Sequence, residues 1–239
     1  MTEAENLRWE KVQQIWKIIK QLRSESGCPW DRKQTPESVQ TYLIEEAHEA
    51  AAAVRSGLPQ EAAEELGDLL FMVFFLIRLY EENNDFLLDD VCDLITAKMI
   101  RRHPHVFGNA SARTPQEVRL NWEKIKAGER ASGNKSNGDI PETLPALMRA
   151  YRLLSRSSHD KSTRLNDMHH QVQDFSIKSH LLVKRLESGE QLSAGAIAEL
   201  FISLVNLARL EGYRAEDILH SALQPMQESL NSRDPALAG

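Results

Sequence analysis

The chain is 239 residues long, with 41% hydrophobic, 27% charged and 6% aromatic residues, a balance that suits a globular protein with a real core and excludes disorder as a whole-chain description. Lys and Arg number 29 against 35 Asp and Glu, a net charge of −6, which argues against the phosphate-tracking basic surface of a polymeric nucleic-acid binder. Cys28 and Cys92 share no CxxC spacing, so neither a disulfide framework nor a cysteine zinc site is indicated, and a reducing cytoplasm fits.

The opening stretch MTEAENLRWEKVQQ carries acids and no apolar run, so no secretory or transit signal is read there and a cytoplasmic protein is expected. Residues 7–23 place Leu7, Val12, Ile15, Trp16, Ile19 and Leu22 at the three-and-four spacing of an amphipathic helix. Ser26, Gly27 and Pro29 break it. Thr35-Pro36-Glu37 reads as an N-cap with proline at the first helical position, opening a helix to about Val54 that Gly57 and Pro59 end. A third helix is expected from about Gln60 to Asn83. Its segment Leu69 to Ile77 is apolar all round, but nine residues fall far short of the roughly 20 of a membrane span. A fourth runs from about Leu87 to Arg102, stopped by Pro104, and Thr114-Pro115 caps a fifth holding Val118, Leu120, Trp122 and Ile125. No segment alternates with period two, so the expected fold class is all-α.

From Ala127 to Asp139 the composition turns to Gly, Ser, Asn and charged residues, a linker composition that predicts a first domain over 1–130, a linker over 131–138 and a second domain over 139–239. Helical periodicity resumes at 144–154, 172–186, 196–210 and 215–230, where Pro225 is expected to kink or end the last helix. Acids concentrate in the first half: residues 1–130 carry 22 acids and 17 bases, the remainder 13 and 12.

Glu45, Glu46 and Glu49 sit within one predicted helix, and Glu65 with Asp68 in the next; spacings of three and four put each set on one face. Such faces are commonly just solvated. Here Asp68 runs into the apolar segment, where an uncompensated carboxylate is costly, so a cation is the stronger reading. Two pairs on facing helices offer four hard oxygen ligands, which favours Mg²⁺ or Mn²⁺. Lys98, Arg101 and Arg102 share a face at the end of the fourth helix. Alone they would be read as helix-dipole compensation, but beside an acidic metal site they suit a polyphosphate. Trp122 and Lys126 offer an aromatic platform and a cation. The Gly27-Cys28-Pro29-Trp30-Asp31 turn can line a pocket, or be merely a turn pinned by a buried Trp30. His103-Pro104-His105 lacks a third nitrogen or sulfur ligand for zinc and is read as ending the helix. No GxxxxGK[ST], GxGxxG or GxSxG is present.

Glu45-Glu46-Ala47-His48-Glu49, fifteen residues, then Glu65-Leu66-Gly67-Asp68 resembles the EExxE…ExxD motif of the MazG-type nucleoside triphosphate pyrophosphohydrolases. GCPWDRKQT (27–35), KMIRRHPHVFG (98–108) and NWEKIKAGER (121–130) resemble further stretches of that family in the same order. The resemblance implies helical bundles, usually dimeric, that hydrolyse nucleoside triphosphates to monophosphate and pyrophosphate with Mg²⁺. It implies Glu46, Glu49, Glu65 and Asp68 as metal ligands, Lys98 and Arg102 as phosphate contacts, and Trp122 and Lys126 as nucleotide contacts. Trp30 is added as a substrate-binding candidate and Glu45 as the group that positions water.

Members with two tandem modules exist, and the second half is expected to be a degenerate second copy. Aligning Leu200–Arg209 with the apolar run after Asp68 puts Ala196 opposite Glu65 and Glu199 opposite Asp68. Asp174–Lys178 stands where EExxE belongs, and Pro225 and Ser229 fall where Lys98 and Arg102 would. Two rival readings are a non-catalytic module that binds nucleotides or a partner, and a di-metal redox bundle suggested by Glu45-x-x-His48 with a weak echo in Asp217-x-x-His220.

Overall fold

The computed structural model describes residues 2–131, 140–158 and 161–233. Among these the regular elements are helices, with no strand, as the lack of period-two patterning predicts. The first five long ones are α1 (Glu3–Leu22), α3 (Pro36–Ser56), α4 (Pro59–Glu82), α5 (Leu88–Arg102) and α7 (Pro115–Ala131), with one-turn helices α2 (Pro29–Arg32) and α6 (Pro104–Phe107) between them. The second half holds α8 (Ala146–Ser157), a 3₁₀ turn at 161–163, α9 (Met168–Glu187), α10 (Ala194–Leu210) and α11 (Ala215–Arg233). The chain packs as two compact units, 1–125 and 126–239. Of the linker read over 131–138, all but Ala131 lies outside the described residues.

Local chemistry explains the boundaries. Thr35 caps α3 by a reciprocal pair: its hydroxyl accepts the Ser38 N–H at 3.3 Å while the Ser38 hydroxyl accepts the Thr35 N–H at 2.9 Å. Thr114 Oγ1 accepts the Glu117 N–H at the start of α7, and Asp167 and Ser193 cap α9 and α10. Pro29 and Pro104, read from sequence only as breakers, each sit at the first position of a short helix, because a fixed φ near −65° starts a turn as readily as it stops one.

The first unit's core lies where α1, α3 and α4 meet. Ile19, Val39, Met72, Phe75 and Leu79 are buried together, with Ile15, Leu43, Phe71, Phe74 and Leu76 packed against them. The expected dryness around Asp68 is not found within one chain. Asp68 is exposed, and Leu66, Leu70 and Val73 lie on an open side of α4, because α1 and α3 cover only one face of it.

In the second unit, a buried polar network fixes the loop before α9. Asn206 donates to Gln171 Oε1 at 2.8 Å and to the Leu165 carbonyl at 3.2 Å, and Arg209 bonds Asn206, Asn166 and that same carbonyl. Burial is the first cause holding the Arg209 pKa below its ordinary value.

Of the kink or end expected at Pro225, the end is not found. α11 runs through Pro225 to Arg233 without ending at it. Proline removes one amide donor and crowds one carbonyl, a local cost that the hydrogen bonds on either side outweigh. Pro225→Ala is therefore expected to stabilise the second unit by up to about 3 kcal/mol, read as a later urea transition in circular dichroism; an unchanged or earlier transition would contradict a continuous α11.

Candidate active site

The turn between α3 and α4 sets the geometry. Gly57 ends α3 in the left-handed conformation, φ +73°, which a side chain would strain, and Pro59 restarts the chain as α4. Residues equally far from that turn meet across the antiparallel pair. Glu46 and Asp68 stand 11 positions either side of Gly57, and Glu49 and Glu65 stand 8 positions either side. Glu46, Glu49 and Glu65 accordingly bring carboxylate oxygens within 4.8 Å of one another. Asp68 is not in that set. It lies beside Glu46 on the wall of an adjoining cavity, and its charge is felt at Glu46.

Desolvation and, after it, this crowding of like charge act on two of the carboxylates. The Glu46 pKa is raised first by desolvation, then by Asp68, Glu49, Glu65 and Glu45. That of Glu65 is raised by desolvation, then by Glu49, Asp68, Glu64 and Glu61. Among the described residues no other group of three acidic, histidine or cysteine side chains converges in this way, and His48 does not join this one. The donor set is all carboxylate and half open to solvent, which fits a hard divalent cation and does not fit a site needing nitrogen or sulfur ligands.

Against the carboxylates lies a cavity of about 250 Å³. Val39, Phe71, Met72 and Phe75 form its apolar floor; Glu46, Asp68 and Asp31 edge it; Trp30 and Tyr42 flank it in an edge-to-face pair with ring centroids 5.9 Å apart. Trp30 is 55% exposed, so the alternative of a turn pinned by a buried tryptophan is not what the structure has. Tyr42 and Asp31 were not singled out from sequence. A signal for Tyr42 existed: it sits one turn before Glu46, on the same face of α3.

The remaining predicted site residues lie elsewhere in the chain. Lys98 and Arg102 occupy the last turns of α5, and Trp122 and Lys126 lie on α7; none of the four lines the cavity. Trp122 packs edge-on against His103, with centroids 5.1 Å apart. His103 both ends α5 and precedes α6, and its Nδ1 lies 2.6 Å from the Met99 carbonyl, so the His-Pro-His segment shapes this corner as expected. Glu45 is exposed, on the flank of the cluster.

In the second unit a lysine stands between an acid of α9 and one of α10. Lys178 Nζ lies 2.7 Å from Asp174 and 3.9 Å from Glu199, and Ser203 Oγ lies 3.4 Å from both Lys178 Nζ and Asp174. No acidic cluster forms among the described residues there.

Residues 34–107 match the family described as MazG nucleotide pyrophosphohydrolase domain. A nucleoside triphosphate pyrophosphohydrolase of Escherichia coli (strain K12) is 34% identical over 221 residues, 89% of this chain and 82% of that protein. The nucleoside triphosphate pyrophosphohydrolase/pyrophosphatase MazG of Thermotoga maritima is 32% identical over 223 residues, 90% of this chain and 82% of its own. A solved structure of a mazG-related protein from Thermotoga maritima aligns with a TM-score of 0.42 and 24% identity, over 48% of this chain and 98% of that one.

The raised pKa values give a pH test. Glu46 and Glu65 hold protons more tightly folded than unfolded, so their contribution favours folding in acid, is full below the ordinary glutamate value of 4.5 and is lost as pH rises through their raised folded-state pKa. In a chelator, Glu46→Gln should melt above the wild type at pH 7.5, and the gap should close towards pH 4. Millimolar Mg²⁺ or Mn²⁺ should raise the wild-type melting temperature at pH 7.5 and raise that of Glu46→Gln less. Differential scanning fluorimetry reads both, and a gap independent of pH would refute the crowding.

Proposed function

The chain belongs to the MazG nucleotide pyrophosphohydrolase family and is a nucleoside triphosphate pyrophosphohydrolase, a hydrolase acting on acid anhydrides; we propose that it yields monophosphate and pyrophosphate at a Mg²⁺ or Mn²⁺ site in its first unit. The observation that carries this reading is the approach of the Glu46, Glu49 and Glu65 carboxylates to within 4.8 Å beside an aromatic-walled cavity. Glu46, Glu49, Glu65 and Asp68 would hold the cation. When bound, it supplies positive charge to phosphate oxygens and lowers the pKa of a coordinated water.

The chain's own residues divide the remaining work. Trp30 and Tyr42 present ring faces and edges of the size of a nucleobase, and the apolar floor beneath them excludes water from one side of it. Glu45, next to the cluster and exposed, orients the attacking water by accepting its hydrogen bond. Lys98 and Arg102 bind phosphate oxygens and offset the charge that develops as the anhydride breaks. Trp122 makes a further nucleotide contact. The second unit, where Lys178 pairs with Asp174 and approaches Glu199, serves packing, assembly or regulation.

A homodimer completes the reading. Leu66, Leu70 and Val73 form an exposed i, i+4, i+7 stripe on α4, and a contiguous apolar stripe of this kind supports burial against a second copy. Among the described residues no helix is long and apolar enough to cross a membrane, and the reaction is assigned to the cytoplasm.

Glu49→Gln and Asp68→Asn, each in the full chain, are expected to abolish Mg²⁺-dependent pyrophosphate release while the helical spectrum is kept; near wild-type turnover in either, over a Mg²⁺ titration, removes the site. Lys98→Ala and Arg102→Ala should each lower kcat/KM about ten- to a hundredfold, the value of one charged hydrogen bond. Chromatographic separation of monophosphate plus pyrophosphate from diphosphate plus phosphate identifies the bond cleaved. For the dimer, Leu70→Asp should shift the sedimenting species to monomer, and an unchanged sedimentation profile would place the interface elsewhere.

A further inference from the structure

Arg23 follows the last residue of α1, and its side chain is only 8% exposed. Four of its five N–H donors are engaged. Nε donates to Glu82 Oε1 at 3.0 Å and Oε2 at 2.8 Å, Nη2 donates to Glu82 Oε2 at 2.6 Å, and Nη1 donates to the Asp31 carbonyl and, at 3.4 Å, to that of Gln34. The guanidinium also stands 5.5 Å from the centre of the Phe75 ring. One side chain thus joins the end of α1, the last turn of α4, the floor of the cavity and the backbone of the segment that carries Trp30.

That segment needs such a tie. Trp30 is more than half exposed, so its own packing does not decide where the ring stands. Local bonds give the strap its shape: the Cys28 N–H reaches the Leu22 carbonyl at 2.8 Å, and Gln34 Nε2 donates to the Trp30 carbonyl at 3.1 Å. At Gly27 a Cβ would fall 2.2 Å from the Leu22 carbonyl oxygen, so the strap folds back closer than any side chain allows. Among these contacts, those of Arg23 fix the strap to α4, whose Phe75 and Asp68 form the opposite side of the cavity. A buried ion pair is a poor source of net stability, since apolar residues of equal volume often do as well, whereas the planar fork of arginine specifies position as a lysine cannot.

We infer that Arg23, held by Glu82, is a positioning residue for the nucleoside end of the substrate: it sets the distance between Trp30 and the cavity floor, and hence affinity for the base, without acting on the phosphates. This rests on the nucleotide reading given above. It predicts that loosening the fork weakens nucleotide binding while leaving the binding of pyrophosphate, which engages only the cation and phosphate groups, unaltered.

The test uses the full chain with Arg23→Lys and Glu82→Gln, folded by circular dichroism, in calorimetric titrations with Mg²⁺ plus either an α,β-imido nucleoside triphosphate or inorganic pyrophosphate. The expected result is an analogue affinity about tenfold weaker, one charged contact's worth, with pyrophosphate affinity unchanged. In turnover, KM should rise and kcat stay within about twofold. Equal affinities in wild type and both variants, or parallel losses for analogue and pyrophosphate, would overturn the positioning role. Arg23→Met serves as the apolar control and should show the same split if it folds. Wild-type turnover is scored separately: tight analogue binding without hydrolysis would refute the catalytic reading and leave the Arg23 assignment standing, while hydrolysis with unaltered variants would do the reverse.

Discussion

Two antiparallel helices joined at Gly57 are forced to hold four acids where their charges repel, and most of the first unit answers to that constraint. The mirror placement of Glu46 with Asp68 and of Glu49 with Glu65 about a left-handed glycine leaves no register in which the helices pair and the carboxylates part. The repulsion is tolerated because the same helices carry Val39, Met72, Phe75 and Leu79 into a core closed by Ile19 of α1. Burial of these side chains, each worth roughly 1.5 to 3 kcal/mol, holds the hairpin together against its own charge.

The acid set and the cavity are one feature seen at two depths. Along α3, Val39, Tyr42, Glu46 and Glu49 follow one another at the three-and-four spacing of a single face; along α4, Glu65, Asp68, Phe71 or Met72, and Phe75 do the same. The facing stripes are charged near the Gly57 turn and apolar away from it. A ligand with a polyanionic end and an aromatic end meets both halves in order, which is why the family assignment and the geometry lead to the same class of substrate.

Much of this was legible in the sequence, because it depends on short-range rules. Thr35-Pro36 and Thr114-Pro115 announced helix starts, period 3.6 gave the long helices, and spacing brought out the cluster of Glu46, Glu49 and Glu65, which Asp68 adjoins without joining. What stayed hidden depends on distance in space. Nothing near Arg23 in sequence points to Glu82, 59 positions away, and nothing near Trp30 says that its ring stays exposed against Tyr42. The solvent at Asp68 follows from how little of α4 one neighbouring helix pair can cover. At Pro225 the sequence left open whether the helix ends, and it continues because hydrogen bonds on both sides outweigh one missing donor.

The ammonium of Lys178, 2.7 Å from Asp174, has a consequence for how the two units respond to their surroundings. A counter-charge attached by covalent bonds is present at unit effective occupancy at any ionic composition, whereas a diffusible ion occupies its ligands only in proportion to its free concentration. The Lys178–Asp174 pair therefore keeps its counter-charge when divalent cations are scarce, whereas carboxylates that rely on a diffusible cation do not. On the reading that Glu46, Glu49 and Glu65 hold a divalent cation, a chelator acts on this chain asymmetrically: it strips the counter-charge from that cluster and leaves the Lys178–Asp174 pair as it was.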